Sequence, residues 1–133
     1  MNVVVDTNVF ISGFVWKGYP GKIVEAWLDG KIHLVASTDI LEEYSLVADR
    51  ITSKYGVKLN HFIELLATNC TVVAVSGKKK QISKDPDDDK FIYSALESKT
   101  KIIISGDKHL LELDGYMGLE ILTPKAYVDN ILI

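Results

Sequence analysis

The chain has 133 residues, with 15 Lys and Arg against 18 Asp and Glu, a formal charge of −3 with histidine neutral. At 47% hydrophobic and 25% charged residues it has the composition of a folded protein with an ordinary core, which excludes intrinsic disorder and predicts one domain over 1–133. Its apolar runs, such as 3–5, 72–75 and 102–104, fall far short of the ~18 residues that span a bilayer, so no membrane partner is expected.

Met1 is followed by a strand-like valine run without the basic and apolar regions of a secretory signal. Cys70 is the only cysteine, which leaves no internal disulfide and no multi-thiolate zinc site. Both features predict a cytoplasmic protein.

In chain order, short β-branched runs at 3–6, 33–37, 71–75, 101–105 and 119–122 read as strands. Gly13, Gly18, Pro20 and Gly21 punctuate the first crossover. The second crossover holds apolar residues at helical spacing over 38–51 and again over 58–69, a helix pair. Thr123 and Pro124 read as an N-cap and a first-turn proline, opening a last helix through Leu132. Strands alternating with helices predict a parallel sheet of about five strands covered on both faces, an α/β architecture.

Several chemistries lack their motifs. Gly13 and Gly18 are followed by Tyr19 and Pro20 rather than by Lys and Ser or Thr, so there is no phosphate-cradling loop. No Gly-x-Gly-x-x-Gly follows the first strand, and no Gly-x-Ser-x-Gly follows any strand. His33, His61 and His109 lie too far apart for a helical zinc pair.

Carboxylates at strand ends remain. Asp6 ends the first strand and Asp107 follows the fourth; in an open α/β sheet such positions share the rim where ligands bind. Each taken singly is equally well an N-cap. In the run from Asp85 to Lys90, counting about 100° per residue from Asp88 centres Phe91, Ile92, Ala95 and Leu96 at roughly 10°. Asp88 therefore faces the core, and an acid buried there is costly unless it is paired or binds a cation. Asp89 stands about 90° away, where it and Asp87 suit a helix N-terminus. On 38–51 the same count puts Glu42 about 163° from the apolar stripe and Glu43 about 97°, on its border and within reach of the rim. Leu46 falls on the outer side.

Four converging carboxylates cannot all ionise without a compensating charge. A hard divalent cation, Mg2+ or Mn2+, suits all-oxygen ligation, and such ions serve phosphoryl chemistry. Phosphodiester hydrolysis is the reaction this pattern predicts.

The segments at 3–9, 37–44, 85–91 and 103–111 resemble, in order, the motifs of PIN domains, and most closely those of the VapC-like toxins of toxin–antitoxin systems. That resemblance implies a three-layer α/β/α fold and a metal-dependent endoribonuclease. It implies catalytic and metal-binding roles for Asp6, Glu43, Asp88 and Asp107, with Asn8 and Ser105 as accompanying polar residues and Asp85 as an outer or helix-start residue. It also implies an RNA substrate, a cognate antitoxin protein and a homodimer. Lys99, Thr100 and Lys101 depart from the family, standing at a turn that often carries Gly-Ala.

Two other readings compete. A catalytically silent PIN domain would bind RNA or protein without cleaving it. A phosphatase of the haloacid-dehalogenase type needs a second acid two residues after Asp6, where this chain has Asn8.

The negative net charge argues against a strongly basic nucleic-acid clamp. Local groups that can border a groove are Lys17 with Lys22, Arg50 with Lys54, and Lys78, Lys79 and Lys80; the last run reads first as a solvated loop. Trp16, Tyr19 and Trp27 can stack on bases, though aromatics at such spacings more often belong to a core or a dimer contact.

Overall fold

The computed structural model describes residues 1–56, 62–75 and 80–132. Five strands, β1 (Asn2–Val5), β2 (His33–Ser37), β3 (Cys70–Val73), β4 (Ile102–Ile104) and β5 (Glu120–Leu122), form one all-parallel sheet in the order β3-β2-β1-β4-β5. Helices flank it in three layers: α1 (Thr7–Val15), α2 (Gly18–Leu28), α3 (Thr38–Tyr55), α4 (Phe62–Asn69), α5 (Asp89–Glu97), α6 (Lys108–Leu111) and α7 (Pro124–Asn130). Coverage of both faces is why the central strands are unbroken apolar runs: Val3 to Val5 and Ile102 to Ile104 are all buried.

The chain builds the sheet outward from β1 through β2 to β3, then returns to β1's other side for β4 and β5. The order therefore reverses between β1 and β4, and the crevice at their carboxyl ends is where this topology places ligands. Asp6 follows β1 and Ser105 follows β4 at that point, and Asp6 N–H donates to Ile104 O at 2.8 Å.

The first crossover is two helices in close contact. A Cβ on Gly13 would stand 2.4 Å from Val24 Cγ2 and 2.5 Å from the Pro20 carbonyl oxygen, so glycine lets α2 lie directly on α1. That contact holds Tyr19 and Pro20 near the sheet's switch point.

The boundaries differ from the sequence expectation where pairing or capping decides them. β3 stops at Val73 rather than 75 because its neighbour among the described strands, β2, ends at Ser37, the register partner of Val73. Helix α3 runs past 51 to Tyr55 and closes on Gly56 at φ 66°. Of the following helix, expected from 58, the described part is Phe62–Asn69; Lys58 and His61 lie outside the described residues. Thr123 caps α7 through Ala126 N–H at 3.1 Å, but the helix ends at Asn130, short of Leu132. Lys99 adopts φ 57° at the end of α5, the conformation that the family's glycine would take more easily.

Candidate active site

Asp6 and Asp107 are both N-caps and both face the switch-point crevice, so their structural and functional readings coexist. Asp6 Oδ1 accepts from Asn8 N–H at 3.3 Å while Oδ2 accepts from the Ser105 hydroxyl at 2.6 Å. Ser105 Oγ in turn accepts from Asp107 N–H at 2.9 Å, and Asp107 Oδ1 caps α6 through His109 N–H at 2.7 Å. Ser105 is fully buried and joins the two acids into one chain of hydrogen bonds. Asn8 lies exposed, lining a cavity with Asp6 and Asp107.

Glu43 reaches the rim from α3, half-buried, while Glu42 is exposed and Leu46 is 65% exposed, as the helical count predicts. Two groups that the sequence reading did not single out hold Glu43. Thr7 donates to its Oε2 at 2.5 Å, and Lys90 Nζ stands 3.1 Å from its Oε1. Thr7 is 36 positions away and had no local signal; the lone cation closing the acidic run from Asp85 was the available hint for Lys90.

Asp88 lies in a short 3-10 turn, Pro86–Asp88, one residue ahead of α5, rather than in the helix's first turn as expected. Asp85 caps that turn by accepting from Asp87 N–H at 3.0 Å, the helix-start role. Asp88 is buried all the same, and its Oδ2 has no hydrogen-bond partner. Asp89 is its opposite: its two oxygens take Ile82 N–H at 3.0 Å and Ser83 N–H at 2.7 Å, which anchors the incoming chain. Asp89 is therefore spent on structure, and Asp88 is the acid of the run left for the site.

Burial is the main cause that raises the Asp6 carboxyl above its ordinary value; Ser105 and Asn8 oppose the rise, and the charges of Asp107 and Glu43 add to it. Asp88 is pushed up to about 7, first by burial and then by the charges of Asp107, Asp85, Asp6 and Glu43. The four acids thus feel one another's charge. They do not close to ligand distance: among the described residues no group of three His, Cys, Asp or Glu side chains stands ready to hold a metal ion. The Lys90 ammonium supplies Glu43 with a counter-charge of its own. The fit to a hard cation is one of chemistry: an all-oxygen donor set, mutual repulsion, and one buried carboxylate oxygen left unpartnered.

The sequence profile of the PIN domain matches residues 2–109, which takes in β1 through β4 and all four acids. The chain belongs to the PIN domain family. An uncharacterized protein of Methanocaldococcus jannaschii is 34% identical to it across 98% of this chain and 91% of its own length. The PIN fold is a nuclease-type fold, and such domains are often metal-dependent. In this PIN domain two cavities adjoin the acids. One of about 350 Å³ is lined by Asp6, Asn8 and Asp107 with Pro20 and Pro124. The other, about 650 Å³, is lined by Glu43 and Lys90 together with Asp39, Glu42, Asp87 and Asp89. Among the described helices, none is long and apolar enough to cross a membrane.

Of the residues considered for a basic or stacking groove, Trp27 is core, 3% exposed, with its indole N–H on the Asn69 carbonyl at 2.7 Å. Trp16 is exposed and meets Tyr55 edge-on, with Lys54 over the Tyr55 ring. Tyr19 is half-buried and precedes Pro20, which lines the smaller cavity. Lys78 and Lys79 lie outside the described residues, and Lys80 is exposed.

Proposed function

We propose that this PIN domain is a divalent-metal-dependent endoribonuclease and the toxin component of a toxin–antitoxin pair. The observation that carries the nuclease reading is Asp88: a buried carboxylate with a free oxygen, raised to about 7 among four other acids, has no structural return for its burial. Asp6, Glu43, Asp88 and Asp107 would hold Mg2+ or Mn2+, which when bound offsets charge on a phosphodiester and acidifies water. The chain's own contributions are positional. Ser105 orients Asp6 and ties it to Asp107, while Thr7 orients Glu43. Asn8, exposed beside Asp6, is placed to contact substrate. The toxin assignment, with its antitoxin and homodimer partners and a cytoplasmic setting, rests on the motif resemblance to VapC-like proteins.

The test is cleavage of an end-labelled mixed RNA pool in Mn2+, with EDTA and an identically purified Asp6→Asn protein beside it. Cleavage by the native chain alone, abolished by EDTA, supports the nuclease; identical bands from the variant mean a contaminant. Growth arrest on expression, relieved by a co-expressed partner, tests the toxin role. A second reading, a binding module without turnover, is favoured by the Glu43–Lys90 ion pair, which already compensates one acid internally. RNA binding without cleavage in any divalent metal would select it.

A further inference from the structure

Both cavities beside the acids are lined by carboxylates, Asp6 and Asp107 in the smaller and five in the larger, and they differ in what stands at their rims. Lys90 is the only cation among the described residues lining the larger one, and it is already paired with Glu43. Five carboxylates share that cavity, so its described lining repels a polyphosphate strand. The smaller cavity has a different rim. Pro20 and Pro124 line it, and the residues next to them in sequence, Tyr19 and Lys125, meet each other: Lys125 Nζ is 3.4 Å from the Tyr19 hydroxyl and 5.2 Å from the ring centroid. Lys22 Nζ lies 5.3 Å from the same centroid. An aromatic ring with two exposed ammonium groups beside it is the combination that binds single-stranded nucleic acid, stacking a base and neutralising phosphates.

We propose that Tyr19, Lys22 and Lys125 form the platform over which single-stranded RNA enters the Asp6–Asp107 cavity, and that the larger acidic cavity is closed to the strand. This rests on the nuclease reading and adds the direction of the strand. The Lys125 ammonium is held meanwhile by Asp129 at 2.8 Å, one helical turn along α7, so an arriving phosphate replaces a carboxylate the protein supplies. The platform depends on α2 lying directly on α1 at Gly13, where the close approach is to Pro20, the residue after Tyr19.

The test uses the full chain carrying Asp6→Asn, in Mg2+, and a fluorescein-labelled pool of short random single-stranded RNA, followed by anisotropy across a salt series. Lys22→Gln with Lys125→Gln is expected to weaken binding and to lower the slope of log affinity against log salt by about 1.4, about 0.7 per lysine. Tyr19→Ala is expected to weaken binding at least about five-fold, with Tyr19→Phe retaining it. Asp129→Asn is expected to tighten it, and Asp39→Asn with Glu42→Gln to leave it unchanged. Melting temperatures confirm that each variant is folded. If the parent binds RNA but the double lysine variant keeps its affinity and slope, the platform is wrong and the nuclease reading stands. If the Asp39 and Glu42 variant gains most, the strand runs through the acidic cavity and the proposal is overturned. If the parent binds no RNA and the native chain cleaves none, both readings fall.

Discussion

The two arms of the acidic crevice are built differently. On the β1–β4 side, Asp6, Ser105 and Asp107 are locked by backbone amides and a buried hydroxyl, and each acid also starts a helix. On the α3–α5 side, Glu43 is held by side chains alone, Thr7 and Lys90, and Asp88 keeps one buried oxygen unpartnered. The first arm is rigid because removing it would unmake helix starts. The second can rearrange at the cost of a hydrogen bond or an ion pair, so charge brought into the crevice is felt there first. Asp88 and Asp89 show the same contrast at adjacent positions: Asp89 anchors two amides, whereas Asp88 is buried with an oxygen that no amide or hydroxyl takes.

The largest effect belongs to the rigid arm. Asp6→Asn or Asp107→Asn keeps a capping oxygen and removes a charge, so RNA cleavage is expected to fall by about 10²- to 10³-fold with little change in melting temperature. A cleavage time course beside a thermal melt checks it; a melt that collapses together with activity would erase the distinction between capping and catalysis.

Next is the pH response of Asp88. Its ordinary value of 3.8 is raised to about 7 in the fold, so between those values the folded chain binds more protons than the unfolded one. Metal-free protein in EDTA is therefore expected to lose stability as pH rises from about 4 to about 7 and to level off above that. Asp6, raised as well, contributes with the same sign. Asp88→Asn should flatten most of this slope in denaturant midpoints measured across pH, and an unchanged slope would remove Asp88 as the stressed acid.

Thr7→Val preserves shape and deletes the hydroxyl that holds Glu43. Mn2+ affinity by titration calorimetry is expected to fall about 10-fold, while stability changes by about 1 kcal/mol. Loss of stability with metal affinity intact would make Thr7 purely structural. The smallest effect is Lys90→Met, which removes the internal counter-charge: Mn2+ affinity is expected to rise roughly two- to five-fold. Weaker binding in that variant would mean that Lys90 supports the metal arrangement instead of competing with it.

Much of this was legible from periodicity. Alternating β-branched runs and helical stretches predicted five strands in order, and the 100° count separated Glu43 from Glu42 and placed Asp88 inward even though a 3-10 turn replaced the helix there. Strand ends were less legible, because β3 stops where its neighbour stops, 36 positions away in sequence. Thr7 and Lys90 were missed for the same reason: their partner Glu43 is brought to them by the sheet, and no short window of sequence contains both ends of those contacts.

The sequence by itself determined the elements, the acids at strand ends and the family motifs, since these depend on local repeat and on residue type. Only the tertiary structure decided that Asp89 is consumed by two amides while Asp88 is left bare, that Lys90 pairs with Glu43, and that Lys22 and Lys125 meet over the Tyr19 ring. Charge and hydrogen-bond satisfaction are properties of neighbours in space, and the strand order β3-β2-β1-β4-β5 creates those neighbours by bringing residues 6, 43, 88 and 107 to one crevice.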